Sequence, residues 1–170
     1  MVVGLPPARQ NPLVALHLAT APAALTGTFD SAAETAGFAA RITGLVRPGD
    51  SLLLEGLLGA GKTTFARGFL RAAVGDPALV VPSPSYTLVQ SYATRLGPVH
   101  HFDLWRLDGP AGLSELGWPE ALADIVLVEW PDRLGNLTPA DALHIALTIT
   151  SKEVRQISIS GWPDRLHRLR

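Results

Sequence analysis

The apolar positions along this chain change period several times, and each change marks an element. Ser31 followed by Glu34 forms a helix-capping pair, after which Phe38, Ile42 and Leu45 recur at helical spacing. Arg47-Pro48-Gly49-Asp50 stops that predicted helix and turns the chain. Ser51–Glu55 is a leucine-rich run with the length of a strand buried on both faces. Past a glycine-rich stretch, Phe65, Phe69 and Ala73 mark one face of a second helix, with Leu70 and Val74 beside it. Gly75 is placed to end that helix and Pro77 to prevent its resumption. Val89–Tyr92 and Val99–Leu104 read as strands joined by a turn around Gly97-Pro98. Residues 111–123 suggest a short helix interrupted near Gly117-Trp118-Pro119. Ile125–Val128 is a second buried strand, ended by Glu129, and Leu143–Thr150 pairs with Val154–Ser160 as a predicted hairpin.

Residues 1–27 hold four prolines and no clear period, and are read as a variable N-terminal extension in which Leu13–Leu18 is a candidate edge strand. Residues 28–170 form the single predicted domain. Trp-Pro-Asp-Arg-Leu occurs at 130–134 and again at 162–166, but the flanks differ. A structural repeat would recur over a longer unit, so the recurrence is read as coincidence.

Composition narrows the classes. A chain of 170 residues with 47% hydrophobic and 17% charged residues has the make-up of one globular domain. Net charge is −1 and no basic block occurs, which argues against a protein that grips RNA through its phosphates alone. The absence of cysteine excludes disulfides and thiolate metal sites. No apolar run reaches the roughly 20 residues that a membrane span needs. The N-terminus lacks a basic region before its short, proline-broken apolar stretch, so a cytoplasmic protein without a signal peptide is expected.

The glycine-rich stretch carries the chemistry. Gly56-Leu57-Leu58-Gly59-Ala60-Gly61-Lys62-Thr63 matches the phosphate-loop pattern G-x-x-x-x-G-K-[ST], with the required strand before it and helix after it. Such a loop turns backbone N–H groups toward phosphate oxygens, at the positive end of the following helix. Lys62 would reach the β- and γ-phosphates and the Thr63 hydroxyl would ligate magnesium, with Gly59, Ala60, Gly61 and Thr64 lining the same ATP site. Only two of the fourteen basic residues are lysines, so a lysine here stands against the composition. The expected fold is therefore α/β, the three-layer P-loop NTPase type, with a largely parallel central sheet and antiparallel C-terminal strands.

A site of this kind needs a carboxylate at the end of a neighbouring strand to hold or position magnesium and its waters. Glu129 and Asp103 both meet that description. His101, two residues before Asp103, suggests a metal pair, yet two ligands from one strand do not make a site. A packed or hydrogen-bonding histidine is the simpler reading. Arg106 is a candidate phosphate contact or a solvated arginine.

Four segments together carry a family signature: Leu54–Thr64, Ser83-Pro84-Ser85-Tyr86-Thr87-Leu88-Val89, His101-Phe102-Asp103-Leu104-Trp105-Arg106-Leu107 and Val128-Glu129-Trp130-Pro131. Their order and spacing resemble the TsaE family, ATPases of bacterial tRNA threonylcarbamoyladenosine biosynthesis, over residues 28–150. The resemblance implies an accessory ATPase that docks on the TsaB–TsaD pair and resets it by ATP hydrolysis. Contact with tRNA would be indirect, through that complex, with adenosine 37 as the modified base. By the same resemblance Lys62, Asp103 and Glu129 are the catalytic residues, Thr63 and Glu129 hold magnesium, and Asp103 positions water; the two acidic roles are interchangeable at this stage. Trp130 should lie near the nucleotide, and Ser83–Thr87 should be a mobile segment near the γ-phosphate.

Three positions depart from the family pattern. Leu57 stands where aspartate is common, Ser85 replaces threonine and Trp105 replaces tyrosine. The first puts a charge near the phosphates in doubt. A small-molecule P-loop kinase is the chief alternative, though no segment clearly supplies the arginine-bearing lid it needs. A GTPase switch is weaker: Asp132-Arg133-Leu134-Gly135 fits D-x-x-G by chance, and no Asn-Lys-x-Asp occurs to read guanine.

Overall fold

Leu52, Leu53 and Leu54 are wholly inaccessible to solvent, and their alternation decides the architecture. They lie on strand β2 (Ser51–Glu55). Leu52 and Leu54 enter one apolar core and Leu53 another, so the sheet is covered on both faces. The computed structural model describes residues 25–169. Within it, β2 runs parallel to β5 (Ile125–Glu129) on one side and to β6 (Leu143–Ile149) on the other. Strand β4 (Gly97–Asp103) lies parallel to β5 and pairs antiparallel with β3 (Val89–Thr94). At the opposite edge β7 (Arg155–Ser160) is antiparallel to β6 and to β1 (Leu25–Phe29). The order is β1-β7-β6-β2-β5-β4-β3: four parallel strands with antiparallel edges on both sides.

Helices α1 (Ala32–Ile42) and α2 (Lys62–Val74) cover one face, burying Phe38, Ile42, Phe65, Phe69 and Leu70 against it. The Ser31 hydroxyl caps α1 by accepting the Glu34 N–H at 3.1 Å, and the Glu34 carboxylate reaches back to the Asp30 N–H at 2.7 Å. The other face is roofed by short pieces: turns Pro110–Gly112, Ser114–Leu116 and Pro131–Leu137, and the one-turn helix α3 (Trp118–Ala121). Phe102 meets Trp118 edge-on there, with ring centroids 5.2 Å apart.

The sequence expectations differ from this structure at two places. The hairpin turn falls on Arg95-Leu96, because Thr94 pairs with Gly97 and its hydroxyl bridges the Leu96 N–H and the Gly97 carbonyl; Gly97-Pro98 opens the second strand instead. The antiparallel pairing of β3 with β4 and of β6 with β7 follows the expected hairpins, and β6 is in addition parallel to β2. Strand β1 begins at Leu25, three residues before the domain boundary read from the sequence. The candidate strand Leu13–Leu18 lies outside the described residues.

The two Trp-Pro-Asp-Arg-Leu segments share a local structure although they share no larger unit. Trp130 and Trp162 both take left-handed backbone angles (φ 61° and 44°), each proline starts a helical turn, and Leu134 and Leu166 are both buried. Proline's fixed φ suits the first helical position, so the same five residues make the same strand-to-turn exit twice.

Two substitutions test this packing. Gly68 lies where α2 crosses α1, and a β-carbon there would collide with the backbone of Ala36. Gly68→Ala should cost about 1–3 kcal/mol of stability, read as a lower urea midpoint at unchanged m-value. The Tyr92 hydroxyl is buried without a hydrogen-bond partner, and burial raises its pKa above 10.0. Above pH 10.0 the unfolded chain loses this proton first, so stability falls as pH rises toward the folded value. Tyr92→Phe should remove that part of the alkaline decline and leave stability near pH 7 unchanged or slightly higher, measured by thermal unfolding across the pH range.

Candidate phosphate-binding site

The carboxyl ends of three adjacent parallel strands converge on one spot. The loop Gly56–Gly61 leaves β2, and Glu129 and Asp103 end β5 and β4 as direct cross-strand partners. Ligands of open α/β sheets bind at such carboxyl ends. Gly56 has φ 145°, and a β-carbon on it would sit 2.5 Å from the Leu147 carbonyl, so only glycine lets the loop leave the sheet here. Gly61 caps α2 with φ 105° and supplies no side-chain acceptor to the helix's first turn, which also lacks an acidic residue. Those N–H groups are the orphan donors of a helix start, with the positive end of the helix behind them.

Lys62 is buried and folded back onto its own loop. Its Nζ donates to the carbonyls of Gly56 at 2.7 Å and Leu57 at 3.0 Å, and lies 4.0 Å from the centre of the Trp130 ring. Burial lowers its pKa from 10.5, against the opposing pull of Glu129, Asp103 and Asp132. Leu57 sends its side chain into solvent while its carbonyl holds Lys62. Leu58 is more exposed still.

Both acids are buried. The Thr63 hydroxyl lies 3.0 Å from each oxygen of Glu129 and donates to that carboxylate. Glu129 Oε1 is also 3.0 Å from Nε2 of the buried His101. Asp103 accepts from Ser83 Oγ at 2.6 Å and Ser85 Oγ at 3.3 Å, and from the Trp105 N–H at 3.3 Å. The segment around Ser83–Thr87 thus closes over Asp103, and Leu88 ends it with φ 65°. The donor set is a hydroxyl and two carboxylates, hard oxygen ligands that fit magnesium, and it leaves two buried negative charges beside the single ammonium of Lys62. Among the described residues no group of three or more His, Cys, Asp or Glu forms a metal cluster. Magnesium in phosphate sites needs only one or two protein groups beside phosphate oxygens and water.

Arg106 stacks on two exposed rings, its guanidinium carbon 4.5 Å from the centre of Tyr86 and 4.8 Å from that of Trp105. In the free protein it is an aromatic-stacked residue rather than a plain solvated one. Sequence reasoning missed Arg155. Its guanidinium donates to the loop carbonyls of Ala60 at 3.1 Å and Gly59 at 3.3 Å, and to those of Ser151, Lys152 and Val154 in the β6–β7 turn. No local signal exposes it, because Arg155 lies 95 residues from Ala60. A cleft of about 450 Å³ opens beside the loop, between Ser31–Ala33 and Thr35 at the start of α1, Gly59, Gly61 and Thr64, and Lys152, Glu153 and Arg155.

A strand, glycine loop and uncapped helix start on a doubly covered parallel sheet define a P-loop protein of the α/β class. The sequence model of the family described as threonylcarbamoyl adenosine biosynthesis protein TsaE matches residues 29–157. The tRNA threonylcarbamoyladenosine biosynthesis protein TsaE of Rickettsia felis is 34% identical over 127 residues, which cover 74% of each chain. That of Bacillus subtilis is 31% identical over 138 residues, covering 80% of this chain and 85% of its own. The crystal structure of Bacillus subtilis YdiB superimposes with a TM-score of 0.66 at 29% identity, covering 85% of this chain and 90% of the other. The chain belongs to the TsaE family. No helix of the described residues is long and apolar enough to cross a membrane.

Arg155 ties the loop to the β6–β7 turn, so Arg155→Ala should cost about 1–3 kcal/mol of stability, read as a lower urea midpoint. Arg155→Lys should recover little of it, because one ammonium cannot span carbonyls that a planar fork reaches together.

Proposed function

We propose that this protein is the accessory ATPase of tRNA N6-threonylcarbamoyladenosine biosynthesis, binding and hydrolysing Mg-ATP to drive turnover of a TsaB–TsaD complex in the cytoplasm. The observation that carries the reading is the meeting of Lys62, Thr63, Glu129 and Asp103 at the carboxyl ends of β2, β5 and β4. The names of the relatives supply the pathway.

In this reading the triphosphate lies along the N–H groups of the loop and the first turn of α2, where aligned donors and the helix dipole favour anionic charge. Lys62 exchanges the carbonyls of Gly56 and Leu57 for β- and γ-phosphate oxygens, and the low polarity that depresses its pKa strengthens that contact. Thr63 and Glu129 would hold magnesium. The ion, when bound, offsets phosphate charge as it builds during transfer. Asp103 accepts a hydrogen bond from the attacking water and sets its line of approach, taking that bond in place of Ser83 or Ser85. The cleft between α1 and the β6–β7 turn takes the base and sugar. Exposed Tyr86, Leu57 and Leu58 surround the mouth, where a partner that reads the loaded site can touch them.

The test is ATP turnover by the protein alone and with TsaB and TsaD. Slow turnover that rises with the pair is expected; indifference to the pair removes the tRNA-modification assignment. Transfer of labelled phosphate to a metabolite rather than to water would make the protein a small-molecule kinase. Lys62→Ala should abolish ATP binding, whereas Asp103→Ala and Glu129→Ala should lower kcat at least 100-fold with smaller losses of affinity. Unchanged turnover in both acid variants would remove the assignment of the magnesium site.

A further inference from the structure

We infer that His101 is a positioning residue for Glu129, fixing the rotation of its carboxylate so that one oxygen is tied to the imidazole and the other is left for the metal of a bound metal–nucleotide; this rests on the nucleotide reading above. His101 pairs with Leu127 and Asp103 with Glu129 across β4 and β5. His101 and Glu129 therefore share the face beneath α2, one diagonal step of about 7–8 Å apart, a span that two long side chains bridge. Nε2 to Oε1 is 3.0 Å, with both side chains buried.

The rest of the imidazole has no other task. Its Nδ1 is buried and has no hydrogen-bond partner. A carboxylate can only accept, so the hydrogen-bond network places a proton on Nε2. A fully buried polar ring with one unmatched nitrogen is a poor choice for packing alone, where leucine would serve better. What the ring supplies is restraint. The terminal torsion of glutamate is soft, and the Thr63 hydroxyl, 3.0 Å from both oxygens, leaves the tilt of the carboxylate plane loosely defined. The bond from His101 fixes that plane by engaging one oxygen and leaves the other with no donor besides Thr63. Asp103 has its own restraints in Ser83, Ser85 and the Trp105 N–H, so each acid is held by a separate set of donors.

The experiment compares wild type, His101→Asn and His101→Gln. A glutamine amide nitrogen reaches the position of Nε2 and can donate to Glu129, whereas an asparagine amide reaches only the position of Nδ1. Mn2+ binding is followed by electron paramagnetic resonance in the presence of β,γ-imido-ATP. Affinity for the same analogue is measured in EDTA, and melting temperatures are recorded without either ligand. Loss of a partner that orients a metal ligand typically weakens metal binding about 10–100-fold. His101→Asn should therefore lose at least about tenfold in Mn2+ affinity, His101→Gln should stay within about threefold of wild type, and metal-free analogue binding should stay within about twofold in all three. Equal Mn2+ affinity in wild type and His101→Asn overturns the inference, as do equal losses in both variants. A wild type that binds the analogue but no Mn2+ removes the metal assignment and this inference with it, whereas equal metal binding by all three variants removes the inference alone.

Discussion

The bond from the Thr63 hydroxyl to the Glu129 carboxylate ties the helix that follows the phosphate loop to a strand 66 residues further along. Everything else at the site is arranged around that tie. For the bond to form, β5 must lie directly beside β2 and end at the same level, and the parallel register delivers this by pairing Leu54 with Glu129. The same register on the other side of β5 places Asp103 next to Glu129. Two carboxylates and a lysine then share a buried space, a costly arrangement in the free protein because each ion has given up water. Lys62 shows the consequence in its lowered pKa and in its retreat onto loop carbonyls.

The apolar core holds that register. Slipping β2 by one residue would exchange Leu53 with its neighbours across the sheet and disturb both cores at once. Full burial of a leucine is worth about 1.5–3 kcal/mol, and three of them on β2 with four apolar residues on β5 hold the strands that carry the charges at their ends. The close crossing of α1 and α2 at Gly68 and the bidentate pair of Arg165 with Asp50 hold the layers from the helix side and from the chain end. Of the three non-glycine residues at positive φ among the described residues, Leu88 and Trp130 flank the two acid-bearing strand ends, and Trp162 lies at the exit of β7.

The phosphate loop and its flanking strand and helix were legible in the sequence because their determinants are contiguous. A leucine run, glycines at fixed offsets, and phenylalanines at helical spacing each act within a few residues of one another. The capping of α1, the end of α2 at Gly75 and the C-terminal hairpin belong to the same kind. The recurrence of Trp-Pro-Asp-Arg-Leu, read from the sequence as coincidence, builds the same local exit twice. Where local signals competed, the reading slipped. Gly97-Pro98 has turn chemistry, yet the cross-strand pairing of Thr94 with Gly97 moved the turn two residues earlier.

Membership of a phosphate-loop fold, the lysine and hydroxyl of the loop, and the candidacy of Asp103 and Glu129 follow from the sequence alone, since apolar runs ending in an acid announce strand ends wherever the strands go. Which strands become neighbours is a different matter. Strand order depends on long-range pairing that no short window encodes. Only the tertiary structure could set His101 against Glu129, fold Ser83 and Ser85 onto Asp103, or bring Arg155 back to carbonyls 95 residues earlier in the chain. Each of these contacts joins groups far apart in the chain and takes its geometry from sheet register and core packing, a property of the whole fold rather than of any segment within it.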